Sequence, residues 1–264
     1  MGRTLGQDIG ATVLNQDIYE ISATQKHRLG TRVVRGDRVF RYAKAITTMT
    51  VTSQLAYSYY RQLISYAAIA TASPIGSNKI YVTVGAGDGI AADGVIAEHS
   101  LEGGYVVIFD GGTAAVYNFA IKDNNAAVSG GTITITLDGE LPIATTATTD
   151  IVELMGNPYM VATGTQGYMR PFMGLPTRLL TTTYPYGWLQ TWGPCFLVCQ
   201  PDVGVSTNAN NLFNDVVARH DGTGDIATYN AGDVAHAQRI GYVLSFTVDG
   251  TSQAAPFVFL QIAP

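Results

Sequence analysis

Tyr184-Pro-Tyr-Gly-Trp-Leu-Gln-Thr-Trp-Gly-Pro-Cys-Phe-Leu-Val-Cys199 holds both tryptophans and both cysteines of the chain. Trp188, Gln190 and Trp192 alternate with Leu189 and Thr191, the two-residue period of a strand whose faces meet different surroundings. Gly193-Pro194 interrupts the alternation, because proline donates no ladder hydrogen bond and glycine tolerates a sharp bend. From Cys195 to Cys199 the run is continuously apolar, which suits a strand covered on both faces. The stretch predicts a long, bent central strand of an all-β domain, with Trp188, Trp192, Cys195 and Cys199 in its core.

Two cysteines four apart on one strand lie ~13 Å from each other, beyond disulfide reach. Buried free thiols are expected, which fits a reducing compartment. Working outward, the 264-residue chain is long enough to fold without disulfides or metals. Only 13% of its residues are charged, against ~25% in ordinary soluble domains. Such a charge-poor surface is expected to be covered in large part by other subunits. No leader pattern and no apolar run of membrane-spanning length occurs, so a soluble protein made in a cytoplasm, without a membrane partner, is expected.

The net charge of −5 conceals an asymmetry. Between Thr24 and Lys44 stand seven cations (Lys26, Arg28, Arg32, Arg35, Arg38, Arg41 and Lys44) and one carboxylate, while the remainder carries eight basic and nineteen acidic residues. Valine and aromatic runs flank Arg35-Gly36-Asp37, which predicts a short hairpin with charge on both sides of the ribbon. Against nucleic acid stands the acidic remainder, which repels a polyanion at longer range. An acidic protein surface fits better, since arginine pairs bidentately with carboxylates. The seven cations are therefore the candidate contact residues.

Ahead of the hairpin, residues 1–23 carry scattered apolar side chains without turn signals and read as an extended arm, docked on a neighbouring subunit or on its own body. After it, Leu55, Tyr59, Leu63 and Tyr66 recur at helical spacing opposite Gln54, Ser58, Arg61 and Ser65, which predicts one short helix over 53–70. From Lys79 onward short strands are expected at 79–84, 104–109, 115–122, 131–137, 151–155, 158–163, 178–183, 187–199, 215–219, 239–248 and 256–262, the cadence of an antiparallel sandwich or barrel. The expected division is an arm (1–23), a basic hairpin plus helix (24–76), a small β domain (77–145) and a main β domain (146–264), or one domain over 77–264.

Motifs of chemistry are scarce. Gly85-Ala-Gly-Asp-Gly89 runs into another turn instead of opening a helix, so it reads as a hairpin turn and not a phosphate loop. Arg35-Gly36-Asp37 reads as a turn and not an adhesion tripeptide. Arg219-His220-Asp221-Gly-Thr-Gly-Asp225 with His236 makes a weak cation site, lacking a second clustered ligand. With no nucleophile elbow, zinc-protease helix or kinase set, no enzyme activity and no catalytic, metal-ligating or cofactor-binding residues are expected.

Three pieces together carry a resemblance: Leu29-Gly-Thr-Arg-Val with Gly36-Asp-Arg-Val-Phe-Arg-Tyr-Ala-Lys-Ala45, Gly174-Leu-Pro176 with Tyr186-Gly-Trp-Leu-Gln-Thr-Trp-Gly193, and Arg239-Ile-Gly-Tyr242. In this order the chain resembles the capsid decoration (cement) and related virion structural proteins of tailed bacteriophages. The resemblance implies a non-enzymatic protein on the outer surface of the head, a homotrimer that bridges and stabilises neighbouring major capsid subunits. It supplies no catalytic residues. The competing expectation is a tail, baseplate or head-fibre component, with Trp188 and Trp192 stacking on host-surface glycans, although tryptophans in such a strand more often fill a core.

Overall fold

The computed structural model describes residues 16–49, 54–59, 62–163, 170–197, 215–218, 226–228, 238–245 and 257–264. They are mainly β, and no helix occurs among them. The strands are β1 (Arg32–Arg35), β2 (Arg38–Ala45), β3 (Ala56–Ser58), β4 (Gln62–Thr71), β5 (Lys79–Thr83), β6 (Val95–Ile96), β7 (Tyr105–Phe109), β8 (Val116–Asn124) and β9 (Ala127–Val128). They continue as β10 (Thr132–Leu137), β11 (Ile151–Met155), β12 (Met160–Ala162), β13 (Phe172–Pro176), β14 (Tyr186–Phe196), β15 (Asp215–Ala218), β16 (Ile226–Thr228), β17 (Gln238–Ser245) and β18 (Phe257–Gln261).

Two compact units result, one of Met1–Tyr59 with Tyr159–Pro264 and one of Tyr60–Pro158 inserted into it. The expected small domain at 77–145 is thus drawn too short at both ends, because β4 and β11, outside those bounds, are staves of the same barrel.

In the host unit the long strand β14 is the organiser. Its residues Tyr186–Trp192 pair antiparallel with β2, while its other edge takes β13 at Leu189 and Gln190 and then β18 from Trp192 to Phe196. The pairings β2–β12, β12–β3, β3–β13, β13–β14 and β14–β2 close on themselves as a five-strand ring, with β2–β12 the one parallel pair. From β14 the sheet extends through β18, β17, β15 and β16. The strand bends as expected but is not broken at Gly193-Pro194: its register shifts between Gln190 and Trp192, and Gly193 adopts a φ of 93°. A Cβ on Gly193 would stand 2.4 Å from the Asp37 carbonyl oxygen, so only glycine lets the hairpin turn approach so closely.

The inserted unit is a closed antiparallel barrel in the order β10-β5-β4-β11-β7-β8. Its interior is filled by aliphatic side chains such as Ile64, Ile80, Ile108, Ile133, Val152 and Leu154. Closure removes the open edges that a sheet of this size would otherwise present. The host unit stays continuous across the insertion, since Val161 pairs with Ser58 and the Tyr59 amide donates to the Met160 carbonyl.

The helix expected over 53–70 is not formed: its described residues lie largely in β3 and β4. The reason is a bulge. Val152 pairs with Ala67 and Leu154 with Ile64, so Ser65 and Tyr66 together oppose the single residue Glu153. One extra residue per few turns a two-residue period into an apparent helical one. The strand expected at 178–183 is also absent, and the unexpected β13, just ahead of those residues, pairs with β14. Gly174 serves packing there, since a Cβ would stand 2.7 Å from the Gln190 carbonyl oxygen.

Candidate interaction surface

The hairpin forms with its turn at Gly36 (φ 63°), and the register sets Arg32 opposite Arg41 and Arg35 opposite Arg38. These pairs lie on opposite faces of the ribbon, because side chains alternate along a strand. Like charges directly across a ladder are destabilising, so each pair calls for compensation. Arg35 forms an ion pair with Asp17 at 3.2 Å, an exposed contact worth ~0–1 kcal/mol. Arg38 donates to the Tyr19 hydroxyl at 3.2 Å and stacks over the Phe40 ring at 5.3 Å. Arg41 donates to the carbonyls of Gly30 (3.2 Å) and Pro264 (3.0 Å), and the Lys44 ammonium sits 5.7 Å from the Tyr186 ring centroid.

Of the seven candidate contact residues, Arg38, Arg41 and Lys44 are thus half-buried and tied to their own chain, while Lys26, Arg28, Arg32 and Arg35 are exposed. The Arg32 side chain has no partner among the described residues.

Residues 16–23, the described part of the expected arm, pack on the host unit itself. Ile18 is buried against Phe40, Tyr42 and Trp188. Gln16 donates to the carbonyls of Glu20 and Tyr186, and accepts from the Tyr42 hydroxyl at 2.7 Å. Burial, before the counteracting Lys26 amide, pushes the Tyr42 phenol up to about 12, so it remains a donor at neutral pH. His27 packs its ring 5.1 Å from Tyr42 and 5.3 Å from Trp188, and burial lowers its pKa. Asp17 and Tyr19, which brace the hairpin, carry no sequence signal: they stand 18 and 19 residues before their partners.

Trp188 is fully buried, and half-buried Trp192 sets its ring edge-on to Phe259 at 5.7 Å. Trp188, with no exposed face, offers no platform for a sugar. Cys195 is a buried free thiol, its pKa pushed up to about 12 by that burial, which leaves it unreactive at neutral pH. A groove of about 350 Å³ in the host unit is lined by Tyr19, Arg38, Phe40, Pro194, Phe196 and Phe257 among others. Cys199 and the His220, Asp221, Asp225 and His236 group lie outside the described residues.

In the barrel, His99 Nδ1 lies 2.6 Å from Asp123 Oδ1, which raises the imidazole pKa and lowers that of the carboxyl. Among the described residues no three His, Cys, Asp or Glu side chains converge in a metal-binding group. Comparisons with protein families, curated proteins and solved structures return no match.

Proposed function

We propose that the chain is a non-enzymatic virion structural protein that decorates and stabilises a phage head, bridging major capsid subunits through its basic hairpin and β body. The observation that carries the reading is a braced basic ribbon on a chain whose other residues are acidic in balance. Tyr19 holds Arg38, the Gly30 and Pro264 carbonyls hold Arg41 and Asp17 pairs with Arg35, so Lys26, Arg28 and Arg32 are presented outward on a fixed scaffold. Such a scaffold favours binding, since little side-chain and loop ordering remains to be done on docking. An acidic capsid surface is the complementary partner. A clamp that binds only the assembled lattice raises shell stability by mass action.

The test compares virions with and without the protein under heat and low salt. Decorated particles should survive the harsher condition; equal survival overturns the clamp. Lys26→Glu with Arg28→Glu should also weaken binding to stripped heads at least ~10-fold, the equivalent of one lost contact of 1.4 kcal/mol.

The groove favours a second reading, a tail, baseplate or head-fibre component contacting host glycans, because Tyr19, Phe196 and Phe257 remain exposed where they line it. Copy number separates the two, with hundreds per particle expected for a head protein and dozens or fewer for a tail or fibre.

A further inference from the structure

The barrel wears an apolar coat on the wrong side. Where β11, β7 and β8 pair, one set of side chains (Val106, Ile108, Val152, Leu154) fills the interior. The alternate set faces outward and should be polar. Instead it reads Ile151, Phe109 and Val116 in one cross-strand row and Met155, Tyr105 and Ala120 in another. Tyr105 is 49% exposed and Val116 51%.

The bulge in β4 enlarges this face. Tyr66 holds a φ of 49°, is 66% exposed, and lies 6.4 Å from the Phe109 ring. A bulky residue in the left-handed region is strained, and strain of this kind persists where a side chain is being aimed. Between the two rows runs a third, of Glu153, Val107 and exposed Asn118, in which the half-buried Glu153 carboxylate has no partner among the described residues.

The charges of the chain divide along the same line. Tyr60–Pro158 carries three lysines and arginines against ten carboxylates, whereas the rest carries twelve against ten. The barrel is thus −7 and the host unit +2, with the host's excess concentrated in the hairpin. There β1 reads Arg-Val-Val-Arg on the outer edge of the sheet, exposed Arg32 unpartnered on the same face as half-buried Val34, while Val33 packs on the Phe40, Tyr42 and Trp188 cluster. A largely apolar face around an unpaired carboxylate, on a unit of net charge −7, is complementary to a basic ribbon edge on which the Arg32 guanidinium stands unpartnered beside Val34.

We propose that copies of this chain associate head to tail, the β1–β2 hairpin of one lying on the outward barrel face of the next, with Arg32 opposite Glu153. The contact is heterologous, so it closes into a ring or continues as a chain of copies. The inference rests on reading the hairpin as a protein-contact surface but needs no capsid.

Light scattering and native mass spectrometry of the purified full-length chain test it. Oligomers are expected at ~0.1 mM and should loosen at high salt, as exposed charges do. Arg32→Glu and Glu153→Arg should each shift the protein to monomer, while an equimolar mixture of the two variants regains association, because both alternating contacts are then complementary. Should either reversal impair folding, Arg32→Gln and Glu153→Gln replace them. Tyr66→Gly adds a readout that a merely structural role would not give: relief of the left-handed strain should keep or raise the barrel's melting temperature while association weakens at least ~10-fold.

A wild-type monomer at every concentration overturns the proposal, as do oligomers that survive both reversals, a mixture that stays monomeric, or Tyr66→Gly oligomers of unchanged affinity. Decorating particles while remaining monomeric in solution would remove this inference and leave the clamp standing.

Discussion

The two β units solve closure differently. The barrel is filled by one aliphatic cluster, from Leu63 to Leu154, and half of its ring (β4–β5, β7–β8 and β8–β10) joins strands near one another in sequence. The described buried residues of the host unit form three clusters. One lies around Phe40, Tyr42 and Trp188, on the opposite face of β2 and β14 from another around Ala43 and Leu189, and the unit depends on ties between distant segments. Thr177 donates to the Ile18 carbonyl, Gln16 to that of Tyr186, and Thr191 to that of Ala263. The first unit has buried braces too, Asn124 to Leu101 and Ala97 and Asp150 to Gly111 and Thr146, but those of the second join segments much farther apart in the chain.

The largest expected effects test whether the units fail separately. Leu154→Ala should cost the barrel ~2–5 kcal/mol and Trp188→Ala should cost the host unit ~3–5 kcal/mol. Both tryptophans belong to the host unit, so their fluorescence reports on it alone. Leu154→Ala should leave the fluorescence transition in place while far-ultraviolet circular dichroism shows an earlier one. Coincident transitions in both variants would mean that the units unfold together.

Next in size is Gly193→Ala. Its φ of 93° and the Asp37 carbonyl 2.4 Å from the added Cβ should together cost the host unit more than ~2 kcal/mol, read as a shift in denaturant midpoint. Tyr42→Phe should cost ~1–3 kcal/mol, since it strips Gln16 Oε1 and the Lys26 amide of one partner each. The barrel transition should not move in either variant.

The same difference explains what the sequence disclosed. Turn chemistry and alternation near the chain's own neighbours located the hairpin, β5, β7, β8, β10, β11 and the long strand β14 to within a few residues. Tyr66 misled the reading, because a bulge shifts the period and leaves no mark in composition. Nor is a strand expected at 172–176, where Pro176 and Leu175 enter the ladder once Leu189 and Gln190 lie alongside. The seven cations were visible; that Asp17 and Tyr19 brace two of them was not, since those pairings depend on where the arm packs. Long-range ties in the host unit are the kind of fact a local pattern does not hold.

Smallest in effect, but sharpest in sign, is the response to acid. Burial lowers the folded pKa of His27 below 6.5, so its contribution to the host unit is complete above that value and declines as pH falls through the folded pKa. His99 behaves oppositely. Its hydrogen bond to Asp123, helped by the charges of Asp123, Glu98 and Glu102, raises its pKa, so its contribution is complete below 6.5 and is lost as pH rises through the folded value. The lowered pKa of Asp123 keeps that carboxylate charged down to the bottom of the ordinary range. Between pH 8 and pH 5 the fluorescence transition of the host unit should therefore move down and the barrel transition up. His99→Asn should flatten the barrel's response without straining the backbone, because asparagine accepts the φ of 62° found there. Two transitions that move in the same direction with pH would show that one unit's protonation is felt by the other, and the separation drawn between an aliphatic barrel and a braced ring would have to be given up.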